Sequence, residues 1–256
     1  MSLAVLSDIR GNLPALEAAL AEVERLGVER LLICGNVARG LFVRETLDRL
    51  LALGDRALWV CGDEDRQLVE FFDHGTASAT STPGEQWGLE WEAGQLERRH
   101  RDFLAALPRR RTLEVEGLGP VLFCHGSPRD DGDILTPLTT AQRLGRLVAG
   151  VRERVVVCGQ LVPFDRSVGD LRVVGTGSVG HLWRPLGGLP GASWLWLGPG
   201  VEMRRTEYDR GQARTLFRTS EHPLSDSWTE ALKLPFLLDG LSAPLEERAR
   251  RREAGE

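Results

Sequence analysis

Six short polar loops hold most of the residues in this chain that could do chemistry. In order they read SDIRGN (Ser7 to Asn12), CGNVARG (Cys34 to Gly40), CGDED (Cys61 to Asp65), CHGSP (Cys124 to Pro128), CGQLV (Cys158 to Val162) and GTGSVG (Gly175 to Gly180). Carboxylates, carboxamides and an imidazole at strand ends are the donors of a divalent-cation site, and a glycine-bearing turn into a helix is also where a phosphate sits. Arg10, two residues after Asp8, does not fit a metal site. Its guanidinium is a permanent cation with no lone pair to give.

Each loop must be positioned by an apolar run before it. Leu13, Leu16, Leu20, Val23 and Leu26 recur at three- and four-residue steps, predicting an amphipathic helix capped by Asn12, opened by Pro14 and closed by Gly27. A strand RLLIC ends at Gly35, a helix covers Val43 to Leu53, and ALWVC repeats the strand-to-loop pattern. Gln86 to Leu107 reads as helical, between Pro83-Gly84 and Pro108. GPVLFC, RVVVC and LRVVG read as further strands, and Gly198-Pro199-Gly200 joins ASWLWLG to VEMRRTEY as a hairpin. Cys34, Cys61, Cys124 and Cys158 each hold the last apolar place before a loop. They read as small buried residues rather than a four-cysteine metal site. Their regular placement puts several strand ends at one sheet edge, where open α/β folds place ligands. From Gln212 on, the pattern is helical or irregular and ends in a charged tail expected to fray.

The 256 residues are enough for one large domain with an appendage, and the net charge of -5 gives no nucleic-acid footprint. Lys233 is the sole lysine, and the basic end Arg248 to Glu253 reads as a solvated helix end. No apolar run approaches the ~20 residues of a membrane span, and no export signal is apparent. Four cysteines without CxxC spacing fit a reducing compartment, so a cytoplasmic location is expected.

Taken together, the loops resemble the calcineurin-like metallophosphoesterase superfamily, with its D-x-H, G-D-x-x-x-x-G, G-N-H-D/E, lone-histidine H-G and G-H-x-H motifs. The resemblance is closest to small bacterial members that begin SDIHGNLPAL. It implies an α/β fold, a four-layer α-β-β-α sandwich of two mixed sheets. The family domain would span residues 1–210, with a helical cap-like insertion at 66–108 and a helical or irregular extension at 211–256.

Carried over position by position, the family's ligand set changes at six places. Asp8 and His125 are kept. Arg10 stands at a histidine ligand, Asn36 at the bridging aspartate, Asp63 at the asparagine, and Glu64 at the usual general-acid histidine. Gln160 and Val162 stand at the two histidines of G-H-x-H. In the first half-site only Asp8 and the Asn36 oxygen could ligate, too few for a transition metal, so Asp8 is vestigial there. Arg10 then replaces the metal's charge by pairing with Asp8, and with Asp63 or Glu64. In the second, Asn36, Asp63, His125 and Gln160 keep lone pairs and form a weak single-site candidate for Mg2+, Mn2+ or Ca2+. No resident cofactor is the main expectation.

Asp8, Asp63, Glu64 and Asp65 bring up to four negative charges against Arg10 and, from the next loop, Arg39. Such a pocket repels phosphate unless a divalent cation or further arginines join it. The main reading is therefore a catalytically inactive or very weak pseudo-phosphoesterase, a module that binds a protein or a phosphate-containing small molecule. The alternatives are an atypical single-metal phosphatase or phosphodiesterase, and a structural partner presenting the surface 86–108 or the tail. Elsewhere, His74, His100, His181 and His222 read as surface or packing residues. Ser127 and Ser178 lack a triad, and Trp183, Trp194 and Trp196 read as core or edge packing.

Overall fold

The computed structural model describes residues 1–77, 82–181, 183–184, 191–233 and 236–255. From the N-terminus, β1 (Leu3–Leu6), α1 (Leu13–Arg25), β2 (Arg30–Cys34), α2 (Val43–Leu51) and β3 (Ala57–Val60) form two crossover units with parallel strands. Three helices follow, α3 (Asp63–His74), α4 (Pro83–Gln95) and α5 (Arg98–Ala105). Next come β4 (Arg110–Val115), β5 (Gly119–Cys124), α6 (Ala141–Leu147), β6 (Val155–Cys158), β7 (Phe164–Val168) and β8 (Leu171–Gly175). After them lie β9 (Trp183–Arg184), β10 (Ala192–Leu197), β11 (Val201–Thr206), α7 (Arg210–Phe217), α8 (Ser225–Ala231), β12 (Phe236–Leu237) and α9 (Leu238–Ala254).

Two mixed five-stranded sheets, ordered β11-β10-β1-β2-β3 and β4-β5-β6-β8-β7, stack face to face with helices outside. The period of two along each strand separates the layers. Ala4 and Leu6 of β1 pack outward among Leu16, Leu20 and Val23 of α1. Leu3 and Val5 face the other way, onto Val121, Phe123 and Val157 of the second sheet. On the far side, Leu122, Val156 and Val173 meet Leu144 and Leu147 of α6. The expected four-layer α-β-β-α sandwich is the observed one. The hairpin at Gly198-Pro199-Gly200 is also present, with Leu197 opposite Val201.

Helix α1 begins where Asn12 Oδ1 accepts the Ala15 N–H at 3.2 Å. The helical stretch after Gln86 is two helices, because Leu96 adopts an extended backbone and Glu97 starts a new turn. These helices are not detached from the core: Leu68, Phe71, Leu89, Ala93, Leu96 and Leu104 belong to the same cluster as β1 and β2. The tail is ordered rather than frayed. Glu246 of α9 accepts from the Thr136 hydroxyl at 2.7 Å and from Thr139, and Glu253 accepts from Arg143 Nε at 2.6 Å. Trp194 is fully buried and Trp196 carries Arg204 over its ring at 5.1 Å, whereas the side chain of Trp183 lies outside the described residues. No helix among the described residues is long and apolar enough to cross a membrane.

One buried ion pair fastens the α4 layer to the loop that follows β2. Glu92, 3% exposed, accepts from Arg39 Nε at 2.5 Å and from the Gly40 N–H at 2.6 Å, with His222 Nε2 at 3.5 Å. Burial alone would raise the Glu92 carboxyl; His222, Arg39 and the Gly40 amide outweigh it and hold it below the usual range. A depressed folded-state value means stability that is present above the ordinary carboxylate range and lost as pH falls through it. Glu92→Gln should therefore cost about 3 kcal/mol in urea unfolding at neutral pH. The gap between variant and parent should narrow steadily in acid; a gap independent of pH would show that the charge contributes nothing.

Candidate functional site

The loops after β1, β2, β3, β5, β6 and β8 meet at one end of the sandwich and are stitched by their own backbones. Asp8 N donates to Gly35 O at 3.0 Å, Gly180 N to Asp8 O at 2.9 Å, and Gly159 N to Cys124 O at 2.9 Å. Among the described residues, three other than glycine have left-handed backbone, and all belong to this cluster: Asp8 (φ 50°), Arg10 (φ 47°) and Asn36 (φ 56°). Short Asp and Asn side chains tolerate that region; for arginine it costs about 1–2 kcal/mol. Gly62 is required for a different reason. A Cβ there would lie 2.1 Å from Asn36 Oδ1, so the β2 and β3 loops touch only because it is absent.

Asp65 holds those two loops together. Its fully buried carboxylate accepts the N–H groups of Asn36 and Val37 (2.8 Å each) and of Ala38 and Gly62 (3.0 Å each). Burial raises the Asp65 carboxyl while these amides pull it down. The sequence singled out Asp65 only as one more negative charge. A carboxylate at the third position of a helix beginning after Gly62 was the available signal for a backbone-capping role.

At the floor of the site, Asp8 is fully buried. Its Oδ1 accepts from Arg10 Nε at 3.1 Å and from Asn36 Nδ2 at 3.3 Å, and its Oδ2 accepts from the Ser7 hydroxyl at 3.1 Å. The second arm of the Arg10 guanidinium meets Glu64 Oε1 at 2.8 Å. Burial works against the Arg10 charge, but Glu64, Asp8 and Asp63 together raise its pKa, so it stays charged. Asn36 bridges the two aspartates as a donor, since Nδ2 also reaches Asp63 Oδ1 at 3.2 Å while its Oδ1 accepts the Glu64 N–H at 3.0 Å.

His125 completes the group. Its Nδ1 lies 2.8 Å from Cys34 O, and its Nε2 lies 3.5 Å from Asp63 Oδ1. Burial would lower its pKa, but Asp63 and Asp8 push it up to about 10, which makes it an imidazolium at neutral pH. Burial likewise works to raise Asp63, and His125, Asn36 and Arg10 hold it well below the usual carboxylate range. Burial keeps Glu64 raised despite Arg10 and Arg39.

Gln160 belongs to a neighbouring network. Its Oε1 accepts the Leu135 N–H at 2.9 Å, and its Nε2 donates to Asp133 O, Gly126 O and His125 O at 3.0, 3.1 and 3.3 Å. Val162 is buried, and Arg39 is engaged by Glu92 outside the cavity lining. Among the described residues no group of three or more His, Cys, Asp or Glu is arranged to hold a metal ion. The four cysteines are free and buried, with Cys124 and Cys158 sulfurs 3.7 Å apart; burial pushes the Cys34 and Cys61 thiols up. Ser127 organises its own loop through Asp133 and the Arg129 N–H, and Ser178 donates to Asp8 O. His100 is buried against Asp48, His222 packs on Trp91, and His74 is exposed at the end of α3.

Over this floor opens a cavity of about 670 Å³, with Asp131 and Asp133 on one wall and Glu85 on another. Its remaining wall comes from α9, through Arg248, Arg251 and Arg252. The basic end is thus not simply a solvated helix terminus: Arg252 pairs with Asp130 at 2.8 Å, and α9 borders the site. Residues some 240 positions from Asp8 could not be placed there by motif.

The family model of the calcineurin-like phosphoesterase superfamily domain matches residues 1–187. No curated protein matches the chain. Among solved structures, a hypothetical protein from Pyrococcus horikoshii is similar with a TM-score of 0.76 at 20% identity, over 90% of this chain and 97% of that one. A metallophosphoesterase from Sphaerobacter thermophilus is similar with a TM-score of 0.69 at 22% identity, over 91% of this chain and 99% of that one. At these identities the likeness is one of fold.

Removing the guanidinium would leave the Asp8 carboxyl without its ion-pair partner. Arg10→Ala should lower stability by about 3 kcal/mol in urea unfolding. Adding Asp8→Asn should recover a large part of that loss, the signature of a coupled pair. Additive losses in the double variant would show that the two side chains do not depend on each other.

Proposed function

We propose that this chain, which belongs to the calcineurin-like phosphoesterase superfamily, is a member that works without a di-metal centre, as a binding module rather than a hydrolase. The observation that carries the reading is the set of groups facing Asp8. Arg10 and Asn36 present N–H donors to its Oδ1, where a metal ligand would have to present a lone pair. The donor set supports the same conclusion for the second half-site. Asn36 turns its Nδ2, not its oxygen, toward Asp8 and Asp63, and Gln160 is bound to backbone, which leaves Asp63 and His125 facing that position, too few for Mg2+, Mn2+ or Ca2+. Arg10 and the His125 imidazolium supply positive charge where the family places metal ions.

Two-metal hydrolysis needs a bridging hydroxide held between cations that can accept its lone pairs, and a guanidinium and an imidazolium cannot. Glu64 keeps a raised pKa suited to an acid, yet its Oε1 is bound to the Arg10 guanidinium. The ordered frame, with Asp65 gripping four amides, supports a retained binding surface. The ligand classes that fit are a protein or a phosphate-bearing small molecule, and the proposed location is cytoplasmic.

Calorimetry with Mn2+ at millimolar concentration should show no saturable binding, and aryl phosphate and bis-aryl phosphate should not turn over. A combined Arg10→His, Asn36→Asp, Asp63→Asn, Glu64→His, Gln160→His and Val162→His variant should bind Mn2+. Turnover by the parent chain that disappears in His125→Ala would refute the proposal.

A further inference from the structure

A second cavity lies on the outer face of the second sheet and shares no lining residue with the Asp8 cavity. It measures about 490 Å³ and runs between the start of β4, the Pro128-Arg129 turn and the loop of residues 149–153 that leads into β6. Four arginines line it: Arg110, Arg111, Arg129 and Arg152. Glu153 is the one acidic residue of the lining, and its carboxylate is already engaged by the Thr112 hydroxyl at 2.8 Å and the Arg152 N–H at 3.2 Å.

This concentration of positive charge runs against the molecule as a whole, which carries a net charge of -5 and pairs most of its other cavity-lining arginines with carboxylates. None of the four forms an ion pair among the described residues; Arg129 reaches only the Arg146 carbonyl, at 3.4 Å. The lining therefore carries an excess of three positive charges that no carboxylate meets, with Arg110 and Thr112 on the same face of β4 as the cleft's Leu122. Leu122, Val151 and Pro128 add an apolar wall to the same cavity.

We infer that this cleft binds a phosphate-bearing small molecule, its phosphate held by Arg110, Arg129 and Arg152 and its organic part laid against Leu122 and Val151. Arginine suits the task because its planar fork meets phosphate oxygens two at a time. Volume favours a compact ligand, since small-molecule sites begin near 300 Å³. The site is separate from the Asp8 cavity, so it stands whether or not that cavity binds metal.

The test is a 31P NMR titration of the full chain with phenylphosphonate, a non-hydrolysable dianion carrying a ring. Saturable binding that weakens as salt rises is expected, with affinity roughly tenfold or more lower in an Arg110→Ala/Arg152→Ala variant. Both residues are exposed, so the variant should fold, as circular dichroism and urea unfolding would show. Arg56→Ala, exposed and in neither cavity, should leave the affinity unchanged. Absence of saturable binding would overturn the inference. So would binding that survives the double substitution or falls equally in Arg56→Ala, because the anion would then sit elsewhere.

Discussion

A fully buried carboxylate needs a counter-charge, and the end of this sandwich is organised around meeting that need for Asp8. Taking an ion out of water costs several kcal/mol even after the protein relaxes, so an unpaired Asp8 would be neutralised or expelled. The chain answers with Arg10 at 3.1 Å, an Asn36 amide at 3.3 Å and a Ser7 hydroxyl at 3.1 Å. The Asn36 contact requires the β1 and β2 loops to meet, and they meet in backbone conformations that L-residues rarely adopt. The strain at Arg10 is tolerated because the guanidinium joins Asp8 to Glu64 on the β3 loop, so one side chain ties the ends of β1 and β3.

The same logic runs through the second half of the site. Asp63 and the His125 imidazolium form a charge pair under the cavity, and Asn36 lies between the two aspartates as a donor to both. In the proposed reading, protein charge stands where the family places metal charge, and the open coordination positions that two-metal hydrolysis needs are given up. What remains is a cavity with a charge-balanced floor, acidic residues on its walls and arginines from α9 at its edge.

The fold was legible because its signals are local. Apolar steps of three and four marked α1, apolar runs ending in polar loops marked the strands, and the regular cysteines at four of those loops marked a shared sheet edge. The break at Leu96 was hidden because helical composition continues across it; the turn depends on Glu97 starting a new helix in place. Asp65 was hidden for another reason: its partners are backbone N–H groups, which every sequence possesses and none displays. Gln160 could be read as polar but not as engaged by the chain around Leu135. The docking of α9 rests on pairs such as Arg143 with Glu253, separated by 110 positions, and no periodicity records such a distance.

The central claim is that Arg10 and His125 hold the places of two metal ions. It is tested most directly by crystals grown with Mn2+, using anomalous scattering at the manganese edge. The account predicts no anomalous peak near Asp8, Asp63 or His125, and an Arg10 guanidinium between Asp8 and Glu64. A manganese peak among those side chains, with Arg10 turned out of the floor, would contradict it.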